Sequence, residues 1–306
     1  MVNDTARAGL ERRSILVTGA SSGIGRACAA LLDQSGFRVF ASVRKAADAE
    51  ALLLQSASIV PLELDVTDPL SIGAAVDRVR AELGGRGLDG LVNNAGTGVS
   101  GPIEYTSLAM LRAELEVNVI GQIAVTQGFL PLIRQAHGRI VNMGSVGGRI
   151  AIPFGGVLCA CKSAFGSMTD ALRMELHPFG IHVSLVEPAA IRTPAVDKTL
   201  GDVEKIIRAL PSEGETRYGD MLREFTRRAY RREQLGSSPE VVARVVHEAL
   251  TAQNPRARYL VGKHAHLLGT MPRLFPDGLL DRIRFRLFGM PDQFGTLPAN
   301  AHAGTA

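Results

Sequence analysis

A short apolar run, a glycine-rich turn and a helical pattern follow one another near the start of the chain. That order constrains everything after it. Ser14-Ile-Leu-Val-Thr18 reads as a buried strand, Gly19-Ala-Ser-Ser-Gly23-Ile-Gly25 as the turn, and Ala27 to Leu32 as the helix. Glycines let the backbone approach a pyrophosphate, and a helix N-terminus offers it unpaired N–H groups and a favourable dipole. Gly19, Ser21, Ser22, Gly23, Ile24 and Gly25 are the expected phosphate-binding set. Three glycines can equally make only a tight turn, so the reading needs support from further along.

The next strand supplies some. Phe37 to Val43 ends in Arg44-Lys45, roughly 20 residues past the glycines, where a dinucleotide's ribose is read. An acid here would bind both hydroxyls of an unphosphorylated ribose. Val43 followed by Arg44 favours a 2′-phosphate instead, hence NADP(H); the bland alternative is a solvated charge at a strand end. Further strands are expected at Ile59–Leu64, Gly90–Val92, Ile140–Met143, Ile181–Val186 and Ala257–Val261. A long helix is expected from about Leu108 to Gln135, with Asn118 poor for propensity in its middle. Asp68 is a plausible N-cap for a helix opening at Pro69. The fold class this implies is α/β, a doubly wound, Rossmann-like parallel sheet.

Later motifs complete a pattern. Asn93-Asn94-Ala95-Gly96, Val117-Asn118-Val119, Ser145-Val-Gly-Gly148, Leu158-Cys-Ala-Cys-Lys162 and Glu187-Pro-Ala-Ala-Ile-Arg-Thr193 follow the glycine turn in order. Together they resemble the short-chain dehydrogenase/reductase family over about residues 14–262. Within it the chain looks most like estradiol 17β-dehydrogenases and retinol dehydrogenases, through Ser145–Gly148, Pro153-Phe154, Arg173–Leu176 and His177–Ser184. The resemblance implies a role for each matching residue. Asp65 and Val66 would meet the adenine. Asn93, Ala95 and Gly96 would line the cofactor cleft, and Pro188, Ile191 and Thr193 would hold the nicotinamide carboxamide. Asn118 would hold a water in a proton relay, Ser145 would polarise a carbonyl oxygen, and Lys162 would hold the ribose. Ala189 stands where the family has glycine. No metal is implied.

The departure sits at the chemical centre. The family places a tyrosine four residues before the lysine, on one helical face, to pass a proton to the carbonyl. Here that residue is Leu158, and the tyrosines are Tyr105, Tyr218, Tyr230 and Tyr259, so no one-residue shift repairs it. Loss of a positioned general acid removes about 10² to 10⁴ of rate. Cys161 and, in the lid, Tyr218 are remote substitutes for it. The resemblance implies an oxidoreductase of altered mechanism acting on an apolar carbonyl, alcohol or imine-type molecule. The alternatives are a non-redox isomerase or cyclase, or a non-catalytic cofactor-binding partner.

Of 306 residues, 46% are hydrophobic and 21% charged, enough for a sizeable core. A net charge of +4 does not compel a nucleic-acid partner, and none is expected. Cys159 and Cys161 diverge by about 200° on a helix, so with Cys28 they are read as thiols in a reducing cytoplasm. The chain opens without an apolar signal core, and no apolar run reaches about 18 residues. Residues 1–13 read as loose, 14–262 as one domain with a substrate lid at about 195–232, and 263–306 as a basic tail. Residues 291–306 read as disordered. In the tail, Leu279, Leu280, Ile283 and Leu287 form a helical stripe. Packing on its own domain or a neighbouring subunit is the expected use of that stripe, contact with an anionic membrane surface the alternative. The apolar helices near 108–135 and 155–177 point to a homodimer or homotetramer.

Overall fold

The computed structural model describes residues 12–291; the opening residues through 11, and the tail stretch read as disordered beyond 291, lie outside the described residues. Seven strands, β1 (Ser14–Val17), β2 (Arg38–Val43), β3 (Val60–Glu63), β4 (Gly90–Asn93), β5 (Arg139–Met143), β6 (His182–Pro188) and β7 (Arg258–Val261), form one parallel sheet in the order β3-β2-β1-β4-β5-β6-β7. The order reverses between β1 and β4. An open α/β sheet binds ligands at such a point, beyond the strands' C-terminal ends.

Alternation along the strands supplies two cores. Ile15, Val17, Val39, Ala41, Val92 and Val141 face one side; Leu16, Phe40, Leu91 and Ile140 face the other. Both faces are covered, which is why the strands read as continuous apolar runs. On the first face lie α1 (Gly23–Gln34) and α2 (Ala46–Gln55), with α1 packing its Cys28, Ala29 and Leu32 against a later helix, α10 (Pro239–Thr251). On the second lie α3 (Pro69–Leu83), α5 (Gly121–Gln135) and α6 (Gly156–Leu176), with α4 (Leu108–Leu115) packed against α6. Asp68 does cap α3, its Oδ1 accepting from Leu70 N at 2.9 Å.

The expected single helix over 108–135 is interrupted. Glu116–Ile120 is a π-helical segment joining α4 to α5, and Asn118 lies buried inside it. Asn118 Nδ2 donates to the Glu114 carbonyl at 3.0 Å, inserting a side chain into the backbone ladder, a recognised cause of such bulges.

After β6 the chain crosses the sheet's C-terminal edge as α7 (Pro194–Leu200), α8 (Val203–Arg208) and α9 (Ser212–Gln234), with no strand, as expected. Two more helices follow β7: α11 (Ala265–Leu274) and α12 (Asp277–Phe288). The tail stripe packs differently from its expectation. Leu280 is buried, but Leu279 and Leu287 are exposed, and Phe288, outside the stripe, takes the anchoring role. Its ring lies 5.0 Å from Phe225 of α9, in a cluster with Phe154, Ile207, Met221 and Leu222. Among the described residues no helix is long and apolar enough to cross a membrane.

Candidate functional site

At the end of β1 the glycine turn is locked by close approach. Gly19 has φ +65°, and a Cβ there would stand 2.8 Å from Ala95 Cα; one on Gly25 would stand 2.3 Å from Gly19 O. Side chains beyond the motif hold the turn. Ser42 Oγ accepts from Gly19 N at 3.1 Å, while Thr18 Oγ1 accepts from Asn94 N and Ala95 N at 2.9 and 3.0 Å. Asn94 Nδ2 donates back to Thr18 O at 2.9 Å. Ser22 caps α1 by position without a side-chain bond, which leaves the first turn, with Gly23 and Ile24, to a ligand. This cradle fits a dinucleotide's phosphates.

The flanking positions converge on it. Thr193, the N-cap of α7, lies against the turn: a Cβ on Gly23 would stand 3.2 Å from Thr193 Cβ. Ala189 N donates to Val261 O at 2.9 Å, and Ile191 bridges to Ser237, so the 188–193 turn is tied to β7 and to the segment before α10. Pro188 ends β6. Arg44 is exposed just past β2. Asp65 Oδ1 accepts from Thr67 N and Oγ1 at 2.9 and 2.7 Å; those two bonds, with Arg44 nearby, lower its pKa. Val66 packs beneath Gly121, where a Cβ would meet its carbonyl oxygen at 2.6 Å. Asn93 points away from the cleft into the core, its Nδ2 donating to Thr126 Oγ1 at 2.8 Å and Asn142 Oδ1 at 2.9 Å.

Ser145 stands just past β5, and Lys162 reaches from α6 to the last residue of that strand. Ser145 Oγ accepts from Gly147 N at 3.0 Å, and lies 3.5 Å from the Pro188 carbonyl. Lys162 Nζ donates to Met143 O at 3.0 Å, and loss of solvent around the ammonium lowers its pKa to about 8. A Cβ on Gly96 would stand 2.9 Å from Asn118 Oδ1 and 3.8 Å from Lys162 Nζ, so all three residues share one small volume. Leu158 lies one turn before Lys162 and is half-buried; its Cδ2 lies 3.4 Å from where a Cβ on Gly98 would stand.

Cys161 does not face this volume openly. It is fully buried in a cluster with Val119 and Phe165, and burial raises its thiol pKa. Tyr218 instead donates to Glu104 Oε2 at 2.7 Å. The sequence reading missed Thr97 and Glu114: Thr97 Oγ1 donates to Glu114 Oε1 at 2.9 Å, and Asn118 Nδ2 donates to Glu114 Oε2 at 3.1 Å. The available signal was spacing, since Glu114 precedes Asn118 by four.

Fold and site together define an open parallel α/β protein with a glycine-turn cradle at its switch point and a serine–lysine–asparagine group beside it. The chain belongs to the short chain dehydrogenase family, whose model matches residues 13–203. It is 38% identical over 288 residues to retinol dehydrogenase 5 of Mus musculus, covering 91% of this chain and 90% of that one. It is 37% identical over 290 residues to 17-beta-hydroxysteroid dehydrogenase type 6 of Bos taurus, covering 93% and 91%. Among solved structures, a short chain dehydrogenase from Burkholderia cenocepacia in complex with NADP aligns with TM-score 0.67 and 26% identity, covering 89% of this chain and 98% of that one.

Proposed function

We propose that the protein is an NADP(H)-dependent oxidoreductase acting on an apolar alcohol, carbonyl or imine, by a mechanism adapted to Leu158. The observation that carries this is Asn118 Oδ1 and Lys162 Nζ bordering one point beside Gly96, with Lys162 tied to the end of β5 just before Ser145 and Leu158 one turn before it on α6. The glycine turn, Arg44, Asp65 and the 188–193 turn would hold the cofactor, which when bound supplies or accepts the hydride. Ser145 Oγ orients the acceptor's heteroatom. Lys162, with its pKa lowered to about 8, can hold or release a proton near neutrality, where acid–base groups work best. Leu158 can do neither. A cationic C=N acceptor needs no proton at nitrogen during hydride transfer, so the loss of a donor at position 158 costs it less than it costs a ketone. The similarity to retinol and 17-beta-hydroxysteroid dehydrogenases supports the apolar substrate class. Three free, buried cysteines fit a reducing cytoplasm.

The test is cofactor titration followed by absorbance at 340 nm with panels of apolar ketones and cyclic iminium ions. NADPH should bind at least about tenfold tighter than NADH, worth about 1.4 kcal/mol, and Arg44→Asp should narrow that gap. Iminium ions should be reduced faster than ketones of the same shape. Equal affinities would sink the NADP assignment; tight binding with no oxidation of NADPH on either panel would hand the site to non-redox chemistry.

A further inference from the structure

Glu114 lies in the last turn of α4, just before the helix loosens into its π segment, and it is only 6% exposed. A buried carboxyl is costly unless hydrogen bonds or charge compensate it. Thr97 and Asn118 supply two bonds, and no ion pair joins it directly to a cation among the described residues. The arrangement of Asn118 shows where its charge is directed. The Nδ2 end lies on the Glu114 carboxyl, while Oδ1 flanks the same point beside Gly96 as Lys162 Nζ. Asn118 Oδ1 accepts from Thr97 N at 3.4 Å, so the amide stands between the Glu114 carboxyl and the point that Lys162 Nζ also borders.

Two other kinds of group lie around Lys162. The Met143 carbonyl accepts from Nζ. Cys161 beside it and Cys159 beyond are buried thiols whose pKa values burial raises; an ionised Cys161 would also favour the Lys162 ammonium, so Cys161→Ala is the background in which the Glu114 effect is read. Position 158, which in the family carries a phenol able to share the ammonium's proton, is apolar.

We infer that Glu114 is a positioning residue of this site: through the Asn118 amide it holds Lys162 as an ammonium, in a chain whose residue 158 cannot. Burial raises the Glu114 pKa and lowers that of Lys162, and each group's charge opposes the other's shift, so the two titrate as a coupled pair. What the held charge does for turnover rests on the oxidoreductase reading; the coupling itself does not.

Lysine side-chain NMR reads the coupling without turnover or cofactor. The chain has five lysines, Lys45, Lys162, Lys198, Lys205 and Lys263, so protein labelled with ¹³C at lysine Cε gives a resolvable set, and loss of one resonance in Lys162→Arg assigns the site. Glu114→Gln should move the Lys162 midpoint down by about one pH unit, the scale of a nearby opposite charge. Glu114→Asp, which keeps the carboxylate, should leave it near the native value. In the native protein, with glutamate labelled at Cδ, the Glu114 carboxyl should step at the pH where Lys162 titrates, which needs no variant to fold. An unchanged midpoint in folded Glu114→Gln, or no step at Glu114 in the native protein, overturns the inference. A shifted midpoint with NADPH affinity at pH 8.5 unchanged leaves the coupling standing and counts against the oxidoreductase reading of Lys162.

Discussion

At the scale of single residues, Leu158 is where the proposed mechanism departs from the family's. Gly98 lies beside it, so a larger side chain at 158 has a neighbour without a Cβ to displace. Leu158→Tyr would put a phenol one turn from Lys162. It should raise reduction of simple apolar ketones at least about tenfold, within the range a general acid contributes. Steady-state rates on a broad ketone panel check this. NADPH binding with no gain in rate would mean that the pocket has diverged beyond this one residue. Lys162 gives a pH prediction. Its folded pKa of about 8 lies below the ordinary lysine value, so between them the unfolded chain binds more protons and stability rises with pH. The penalty is fully present below pH 8. Lys162→Met should therefore melt above the native protein at pH 7, and the difference should close towards pH 10. A difference independent of pH in thermal melts would contradict the shift.

At the scale of elements, the sheet is stitched to two helices by a buried polar ladder. Thr126 of α5, Asn93 of β4, Asn142 of β5 and Thr169 of α6 form consecutive side-chain hydrogen bonds of 2.8 to 2.9 Å. Each threonine hydroxyl also bonds back to its own helix, to Gln122 O at 2.8 Å and Phe165 O at 2.7 Å. The register Asn93↔Asn142 makes the central bond possible. This ladder holds α6, and with it Lys162, at a set height over β5. Asn93→Ala would leave Asn142 Oδ1 without its donor, costing about 1–3 kcal/mol. Urea unfolding should show a lower midpoint with an unchanged slope; loss of less than about 0.5 kcal/mol would argue that the ladder is dispensable.

At the scale of the whole molecule, the helices flanking the site leave apolar side chains uncovered. Ile120, Met168 and Met174 are 52%, 44% and 65% exposed on the π segment and α6. A second copy of the chain is the proposed cover, giving a dimer or tetramer in light scattering. Met174→Glu with Met168→Glu should dissociate it at micromolar concentrations, because two carboxylates desolvated without partners oppose association. A monomeric mass for the native protein would overturn this. In α12, Leu280 and Phe288 are covered while Leu279, Phe285 and Leu287 are not. The Phe288 ring lies against Phe225, and Arg232 lies 5.8 Å from the Phe288 centroid, so the tail steadies α9.

The order of strands and glycine turn was legible in the sequence because those features are local. Period-two burial, φ-permissive glycines and a proline at a helix start act over a few residues, and the structure places each strand within about two residues of its reading. Leu158 was equally legible, since its identity needs no coordinates. Other matters required the chain to close on itself. A helical pattern over 108–135 cannot show that Asn118 opens a π segment, because that depends on hydrogen bonds to Thr97 and Glu114 from a loop and a preceding turn. Stripe reading chose Leu279 and Leu287 over Phe288 because helical period gives relative faces, not which face meets α9. Glu114 is the clearest instance: spacing puts it on the face of Asn118, but only packing brings both to Lys162, 44 or more residues away along the chain. Burial, charge and direction at that point are properties of the tertiary structure alone, because each is set by atoms from four separate segments.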